Sequence, residues 1–216
     1  MNIEQARFNM IEQQIRTWDV LDPGVLGLLA VVRREDFVPA AYRALAFMDI
    51  EVPLPEGQNM LAPRVEARLL QELQVQRHER VLEIGAGSGF MAALLGHRAQ
   101  DVITLETLEG LARLATENLR RSGASNVTVL RADGAQGYAA EAPFDAILLS
   151  GSVSKVPEPL FAQLKPGGRL VAIEGSEPIM QAVRYTPGPA GVVRTELFDT
   201  CASRLVGFPE PPRFHF

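Results

Sequence analysis

A glycine-rich turn between an apolar run and a helical pattern is the segment of this chain best suited to chemistry. It reads Val81-Leu82-Glu83-Ile84-Gly85-Ala86-Gly87-Ser88-Gly89-Phe90. The apolar run predicts a buried strand, and the glycines at alternate positions predict a tight turn into a helix. No side chain shields the backbone of such a turn, and the N–H groups of the helix lie directly behind it. We therefore expect Gly85, Ala86, Gly87 and Gly89 to contact a bound small molecule.

The order of residues in this turn argues against a dinucleotide. A dinucleotide-binding turn has the spacing G-x-G-x-x-G and places a pyrophosphate at the start of a helix. Here Phe90 occupies the position of the third glycine, and Glu83 precedes the first. A carboxylate repels a pyrophosphate but attracts a cationic amino-acid group. The turn therefore disfavours a nicotinamide oxidoreductase and predicts a nucleoside with a positively charged amino-acid end, a description that S-adenosylmethionine fits.

Two further acidic residues follow the next two apolar runs. Glu106 ends the second run, and Asp133 and Gly134 come just after the third. The carboxyl ends of parallel strands lie at one edge of a sheet, so these acids should face the same ligand as Glu83. A carboxylate at Glu106 can accept both ribose hydroxyls, and one at Asp133 can accept the exocyclic amine of adenine. We also assign Leu149, the last residue of a fourth apolar run, to the cofactor site.

The elements that must position these residues alternate between strands and helices. The predicted strands are Val81–Ile84, Val102–Leu105, Val127–Leu130, Ala146–Leu149 and Leu170–Ile173. The predicted helices between the first three strands are Phe90–Arg98 and Leu111–Arg121, the second ended by Gly123. This alternation, with runs that are apolar on both faces, predicts an α/β fold with a parallel sheet covered by helices. Antiparallel strands that close one sheet edge are predicted for Val183–Tyr185, Val192–Phe198 and Ser203–Val206.

The N-terminal part of the chain predicts helices separated by a proline-rich loop. An apolar helical face is predicted for Phe8, Ile11, Ile15 and Trp18. Asp22 and Pro23 predict the start of a second helix, and Pro63 predicts the start of a third. Prolines between residues 38 and 62 exclude a long regular element there. The buried faces of the second and third helices should contain Val25, Leu28, Leu29, Val32, Val65, Leu69, Leu70 and Leu73.

Length and composition indicate one globular domain. The chain has 216 residues, of which 47% are hydrophobic and 22% charged, as in an ordinary globular protein. We expect a single domain over residues 1–216. Within it we assign 1–79 to a helical and loop region that gates the substrate, 80–175 to an S-adenosylmethionine-binding core, and 176–216 to antiparallel strands and a tail.

Charge and cysteine content exclude several classes of function. The 21 basic and 26 acidic residues give a net charge of −5, which disfavours nucleic acid as a partner. The apolar runs are shorter than the ~18 residues of a membrane-spanning helix, so we expect no membrane association. One cysteine, Cys201, and an N-terminus without a secretory pattern favour the cytoplasm. No cluster of His, Cys and Asp has metal-ligand spacing, so we expect no metal.

Several segments besides the glycine turn resemble the protein-L-isoaspartate O-methyltransferases. The two most specific are Arg33-Arg34-Glu35-Asp36-Phe37-Val38-Pro39 and Leu54-Pro55-Glu56-Gly57-Gln58. The others are Asn126-Val127, Asp133-Gly134-Ala135-Gln136-Gly137 and Gln163-Leu164-Lys165-Pro166-Gly167-Gly168-Arg169-Leu170. The resemblance implies a Rossmann-like methyltransferase fold, with a mostly parallel seven-stranded sheet flanked by helices and an N-terminal helical addition. It also implies S-adenosylmethionine as the cofactor and isoaspartyl residues of damaged proteins or peptides as the methyl acceptors.

The segment after Gln58 departs from the pattern of this family. The family typically has Thr, an apolar residue, Ser, any residue and Pro, whereas this chain has Asn59-Met60-Leu61-Ala62-Pro63. The serine is a hydroxyl on the substrate side, and Leu61 cannot hydrogen-bond a carboxylate. Loss of one donor to a charged acceptor weakens an interaction by about 1.5–3 kcal/mol. We predict that Asn59, which keeps a donor nearby, compensates in part.

Two other differences also bear on the acceptor. Phe90 stands where the family often has tyrosine, and Glu174 introduces an acid that we expect to repel an anionic substrate. We favour a methyltransferase that acts on isoaspartyl carboxylates. A methyltransferase with a different acceptor and a non-enzymatic module that binds S-adenosylmethionine stay open as alternatives.

Overall fold

A seven-stranded sheet forms the centre of the computed structural model, which describes residues 2–189 and 191–210. The strand order is β5-β4-β3-β6-β7-β8-β9. The strands from β3 to β7 pair in parallel, and β8 and β9 add antiparallel pairs at one edge. Their bounds are Arg80–Ile84 (β3), Asp101–Glu106 (β4), Val127–Arg131 (β5), Phe144–Val153 (β6), Leu164–Ser176 (β7), Ile179–Gly188 (β8) and Gly191–Thr200 (β9). The predicted α/β fold with a mostly parallel sheet is confirmed.

The order of the strands creates a crevice at the carboxyl edge of the sheet. From β3 the chain runs outward through β4 to β5 and then returns to place β6 on the other side of β3. Such a reversal leaves the loops after neighbouring strands diverging, and ligands of open α/β sheets bind there. The glycine turn follows β3 directly and therefore lies at this crevice.

Helices flank the sheet. Their bounds are Ile3–Met10 (α1), Pro23–Val31 (α2), Pro63–Leu73 (α3), Phe90–Arg98 (α4), Glu109–Ser122 (α5) and Glu158–Phe161 (α6). Successive residues of β3 enter different parts of the core: Val81 packs with the N-terminal helices and α4, whereas Leu82 packs with α6. This period of two explains why the strands are apolar on both faces. Gly123 ends α5 in the left-handed conformation, as predicted.

The N-terminal region is helical, but its first apolar face differs from the predicted one. After α1 the chain continues through a π-helical turn over Ile11–Ile15 and a 3₁₀ turn over Arg16–Trp18. Ile11 and Ile15 are buried, whereas Phe8 is 59% exposed. Buried Arg7 faces inward instead and forms an ion pair with buried Glu35. Because consecutive helical residues point about 100° apart, an inward Arg7 turns Phe8 outward.

The proline-rich loop contains a short antiparallel hairpin that leads into α3. Its strands are β1 (Val52–Pro53) and β2 (Asn59–Met60), with Pro53 opposite Asn59. Pro63 then starts α3, whose predicted apolar face is buried. The Asp22 side chain caps α2 by accepting hydrogen bonds from the next two N–H groups after Pro23. The predicted starts of the second and third helices are therefore confirmed.

The C-terminal segment differs from the prediction. The expected strand Ser203–Val206 does not form; the segment makes only one isolated parallel bridge, between Arg204 and Ser152 at the end of β6. The other two predicted strands, Val183–Tyr185 and Val192–Phe198, lie within β8 and β9, which pair antiparallel and close this edge of the sheet. The part of the predicted tail beyond residue 210 lies outside the described residues. The segment after β9 crosses the carboxyl edge of the sheet beside the end of β6.

Candidate active site

A cleft lies at the carboxyl edge of the sheet, where the glycine turn meets the C-terminal segment. The residues that line it come from the glycine turn, the ends of β4, β5 and β6, the start of α5, the hairpin loop and the segment after β9. Among the lining residues are Asn59, Leu61, Gly85, Gly87, Glu106, Gly134, Ser150, Gly151, Ser203 and Leu205. A smaller adjoining pocket continues beneath the glycine turn towards Glu66, Glu83 and Phe90.

The glycine turn depends on backbone conformations that other residues rarely adopt. Gly85 and Gly89 have φ values of +93° and +83°. A Cβ at Gly89 would lie 3.2 Å from backbone atoms of Ala115, so this glycine lets α4 pack closely against α5. The N–H groups of Gly85 and Ala86 both donate to the carbonyl of Leu105, at 2.9 and 3.1 Å. These bonds hold the turn against β4 and leave its cleft face without side chains.

The Glu106 carboxylate is held at the rim of the cleft by two backbone donors. Its Oε2 accepts a hydrogen bond from Gly87 N at 2.9 Å, and its Oε1 accepts one from Leu108 N at 3.1 Å. Only 6% of the residue is exposed. Each carboxylate oxygen keeps a second lone pair. Glu106 is therefore preorganised to accept two more donors, such as the paired hydroxyls of a ribose.

Glu83 is fully buried beneath the glycine turn. Its two carboxylate oxygens accept hydrogen bonds from Thr104 Oγ1 and Ser150 Oγ, both at 2.7 Å. Burial raises the pKa of Glu83 to about 7, and the two hydroxyls oppose that rise in part. A cation bound nearby would favour the ionised form. The Glu83 carboxylate is therefore suited to pair, in its ionised form, with the ammonium group of an amino-acid ligand.

Asp133 and Gly134 lie at the end of β5, but they contribute in different ways. Asp133 is exposed, and its Oδ1 accepts a hydrogen bond from Ala135 N at 3.0 Å. A Cβ at Gly134 would lie 2.1 Å from Ile84 Cγ2, so only glycine fits beside β3. Gly134 lines the cleft directly, whereas the Asp133 carboxylate lies close to Gly207 of the C-terminal segment.

Leu149 does not line the cleft. Its side chain is fully buried in the core between β3 and β7. In a strand buried on both faces, the residues that reach a ligand come from the end of the strand. Here Ser150 and Gly151 provide that lining.

Leu61 lines the end of the cleft next to the hairpin loop, which we call the acceptor end because we predict that the methyl acceptor binds there. A buried arginine holds the backbone of Leu61. Arg34 Nη2 donates to the carbonyl of Leu61 at 2.7 Å, and Arg34 Nε donates to the carbonyl of Ala46 at 3.0 Å. The same guanidinium forms an ion pair with buried Glu66 and lies 5.1 Å from the centre of the Phe90 ring. Burial lowers the pKa of Arg34 to about 9. This cluster positions Leu61 and Phe90 as an apolar wall.

Glu174 does not face the acceptor end. Its carboxylate accepts hydrogen bonds from Val156 N and from Tyr185 Oη, both at 2.8 Å, and lies 3.4 Å from Arg194 Nε. Burial, together with this carboxylate, raises the pKa of Tyr185 to about 12. The expected repulsion between Glu174 and an anionic substrate is therefore wrong. The acid serves the packing of β7 against β8 and β9.

Several lining residues were not among the predicted site residues. Ser203, Arg204 and Leu205 come from the segment that was predicted to be a strand, and Ser150 comes just after predicted Leu149. A serine or a leucine in a short C-terminal segment carries no signal of its own. Only the passage of this segment over β6 brings these residues to the cleft.

The described ranges, 2–189 and 191–210, contain no group of three or more His, Cys, Asp or Glu side chains arranged to hold a metal ion. Within the same ranges, none of the helices has the length and apolar character needed to cross a membrane.

Comparison with known proteins places this cleft in a family. Residues 5–190 match the family model described as protein-L-isoaspartate(D-aspartate) O-methyltransferase. The chain belongs to this family. A protein-L-isoaspartate O-methyltransferase of Rhodopseudomonas palustris is 42% identical, with 92% of each chain covered. One of Methanoculleus marisnigri is 38% identical, with 94% of this chain and 92% of that protein covered.

Solved structures of protein-L-isoaspartate O-methyltransferases share the fold. One of them superposes with a TM-score of 0.77 at 24% identity, over 93% of this chain and 66% of that chain. A putative member from Plasmodium falciparum superposes with a TM-score of 0.75 at 23% identity, over 94% of this chain and 97% of that one. The second was solved in complex with S-adenosyl-L-homocysteine. The Rossmann-like methyltransferase fold with an N-terminal helical addition is thus confirmed.

Proposed function

We propose that this protein is an S-adenosylmethionine-dependent O-methyltransferase that methylates carboxylates of isoaspartyl residues in damaged proteins and peptides. The observation that carries the proposal is a family match over residues 5–190 that coincides with a cleft at the carboxyl ends of β3, β4 and β6. The glycine turn, Glu83 and Glu106 lie at that edge, where a cationic nucleoside could contact all three.

The residues of the cleft fit S-adenosylmethionine. Glu106 has free lone pairs for the ribose hydroxyls, and Gly134 lines the same cleft just after β5, where an adenine would bind. The small pocket beneath the glycine turn contains Glu83, whose carboxylate has no cationic partner among the described residues and suits the cationic amino-acid end. We assign the cofactor to Glu83, Gly85, Ala86, Gly87, Gly89, Glu106, Asp133 and Gly134, and we leave Leu149 to the core behind it.

The proposed chemistry requires alignment rather than a base. Bound S-adenosylmethionine would supply a methyl group that is electrophilic because it is attached to a sulfonium. An isoaspartyl carboxylate is ionised at neutral pH and attacks without first losing a proton. The side chains at the acceptor end therefore have to hold the carboxylate oxygen in line with the methyl carbon and exclude water. Apolar Leu61 and Phe90 suit the second task.

We assign the gating of the substrate to residues 1–79 and to the segment after β9. Asn59 and Leu61 from the hairpin loop lie opposite Ser203 and Leu205 from that segment. Because Asn59 contacts Ser203 directly, a protein substrate would approach the cleft beside this contact rather than between the two segments. The core over residues 80–175 then supplies the cofactor site, so one domain contains both functions.

A methylation assay tests the proposed function. Transfer of radiolabelled methyl from S-adenosylmethionine should occur to an isoaspartyl peptide and not to the same peptide with a normal aspartyl linkage. S-adenosylmethionine should also raise the melting temperature, because a ligand of the folded state stabilises it by mass action. A melting shift without methylation of the isoaspartyl peptide would favour a different acceptor. The lack of any shift at a millimolar excess would contradict cofactor binding.

A further inference from the structure

Three polar side chains from two distant segments form a hydrogen-bonded row at the acceptor end of the cleft. Asn59 Nδ2 donates to Ser203 Oγ at 2.9 Å. Ser203 Oγ in turn donates to Glu51 Oε2 at 2.6 Å, and Ser203 N donates to Glu51 Oε1 at 2.9 Å. Asn59 and Ser203 line the cleft, whereas Glu51 is not among the lining residues and lies behind Ser203.

Ordered backbone holds both ends of this row. Ser152 N donates to the carbonyl of Ser203 at 2.8 Å, and Leu205 N donates to the carbonyl of Ser152 at 2.9 Å. These bonds tie the C-terminal segment to the end of β6. On the other side, Asn59 opposes Pro53 in the hairpin, two residues after Glu51. The row therefore joins the hairpin loop to the C-terminal segment across the cleft.

The row has only one consistent direction of hydrogen bonding. An ionised carboxylate accepts and never donates, so the single hydroxyl hydrogen of Ser203 points to Glu51. Ser203 Oγ can then only accept from Asn59, which must present its amide nitrogen rather than its oxygen. The network thus assigns the amide orientation of Asn59. That nitrogen has a second hydrogen, which has no partner among the described residues and lies at the wall of the cleft.

We propose that Glu51 and Ser203 are positioning residues that orient the Asn59 amide, so that its second N–H donates to the carboxylate of the methyl acceptor. The proposal rests on the proposed function, because it names the donor for an isoaspartyl carboxylate. Leu61 supplies no hydroxyl at this end, and the row places a donor there. Glu51 is held by two donors from Ser203 and turned away from the cleft, so it does not stand between the donor and an anionic substrate.

Reversal of the row tests the proposal. In Glu51→Gln the new amide can donate to Ser203 Oγ, which frees the serine hydrogen to donate to Asn59 and turns the asparagine oxygen inward. We expect kcat/KM for an isoaspartyl peptide to fall about 10-fold, the loss of one donor to a charged group. Ser203→Ala should cause a similar loss, and Ser203→Thr, which retains the hydroxyl, should restore most of the activity. The Kd for S-adenosylmethionine should stay within about twofold.

A double-mutant cycle separates positioning from a merely structural role. Asn59→Ala alone should lower kcat/KM about 10-fold or more. If Glu51 acts through Asn59, Glu51→Gln in the Asn59→Ala background should change kcat/KM by less than about twofold. A matched control is Glu56→Gln, which removes an exposed carboxylate from the same loop and should leave activity unchanged.

The outcomes distinguish this inference from the proposed function. The positioning role alone is contradicted if the wild-type enzyme methylates the peptide and the losses of kcat/KM in Glu51→Gln and Asn59→Ala multiply in the double variant. The same holds if Glu51→Gln has the activity of the wild type. If the wild-type enzyme leaves the peptide unmethylated, the proposed function is contradicted, and so is the role of the row in binding this substrate.

Discussion

The two ends of the cleft are assembled in different ways. The cofactor end uses the glycine turn and the ends of neighbouring strands, where Gly87 contacts Glu106, a residue only 19 positions away in the chain. The acceptor end uses the hairpin loop and the C-terminal segment, with Asn59 and Ser203 in contact across 144 residues. The proposed cofactor site thus lies in a local supersecondary unit, whereas the proposed acceptor site depends on how two distant loops meet.

This difference implies that changes at one end should leave the other largely intact. The cofactor end should fail as a unit when its strand-end acid is removed, since backbone donors depend on that acid. The acceptor end should tolerate exchanges of side chain, provided that a donor remains. The following predictions test this contrast, from the largest expected effect to the smallest.

Removal of the Glu106 carboxylate should nearly abolish cofactor binding. Glu106→Ala removes the acceptor of two ribose hydroxyls and leaves the N–H groups of Gly87 and Leu108 without their partner. Two hydrogen bonds to a charged group correspond to a loss of roughly 1,000-fold in affinity. Isothermal titration with S-adenosylmethionine measures it. Glu109→Ala, which removes an exposed acid three residues on, should bind normally; equal losses in both variants would contradict the role of Glu106.

Removal of the Arg34 guanidinium should destabilise the acceptor end and with it the fold. Arg34→Ala leaves buried Glu66 without its cation and the carbonyl of Leu61 without its donor. Breaking a buried ion pair in this way costs about 3–5 kcal/mol, and the double change Arg34→Met with Glu66→Leu should recover most of it. Urea denaturation provides the measurement.

The control for this ion pair is an exposed one. Arg113→Ala breaks the pair with Glu109, in which both side chains are more than half exposed, and should cost less than about 1 kcal/mol. A loss for Arg34→Ala no larger than that of Arg113→Ala would show that the buried cluster does not hold Leu61 in place.

The pattern of apolar residues was sufficient to predict the sheet and to bring the glycine turn and Glu106 to one edge of it. Each predicted strand from Val81–Ile84 to Leu170–Ile173 lies within an observed one, because runs buried on both faces have few alternatives. The glycine turn and the acids at the strand ends follow from the same local pattern. The apolar pattern ends the fourth strand at Leu149, whereas β6 extends to Val153. Leu149 therefore lies in the core and not in the lining of the cleft.

The acceptor end and the packing of the first helix could not be predicted in the same way. The pairing of Arg7 with Glu35, which turns Phe8 outward, is a contact across 28 residues that leaves no periodic signal. The passage of Ser203 over β6 depends on tertiary hydrogen bonds with Ser152. Its short sequence, which ends in Leu205 and Val206, equally fits a strand. Residues whose role comes from such distant contacts are invisible to local patterns.

The buried acid at the cofactor end should make stability depend on pH. The pKa of Glu83 is about 7 in the folded protein and about 4.5 when exposed. Between pH 4.5 and pH 7, Glu83 loses its proton in the unfolded chain but keeps it in the folded protein. The contribution of Glu83 to the free energy of unfolding is therefore fully present below about pH 4.5 and is lost as the pH rises to about 7. The loss is about 3 kcal/mol. Urea denaturation at pH 5 and pH 7.5 should show it in the wild type and much less in Glu83→Gln.

Bound cofactor should reverse this trend, because a cation near Glu83 favours its ionised form. The affinity for S-adenosylmethionine should therefore rise with pH through about 7 in the wild type and stay flat in Glu83→Gln. Parallel pH profiles for the two proteins would contradict a role of Glu83 in binding the cationic end.

The smallest effect is expected from restoring the serine that this family typically has. Leu61→Ser places a hydroxyl at the acceptor end, but the Asn59 amide already supplies a donor there. We expect kcat/KM for an isoaspartyl peptide to rise by less than about threefold in the wild-type background. In Asn59→Ala, where that donor is missing, the same Leu61→Ser change should recover about 10-fold. A large gain in both backgrounds would mean that the two donors act independently. No gain in either would mean that the carboxylate is bound elsewhere, because a hydroxyl next to the substrate should otherwise substitute for the lost amide.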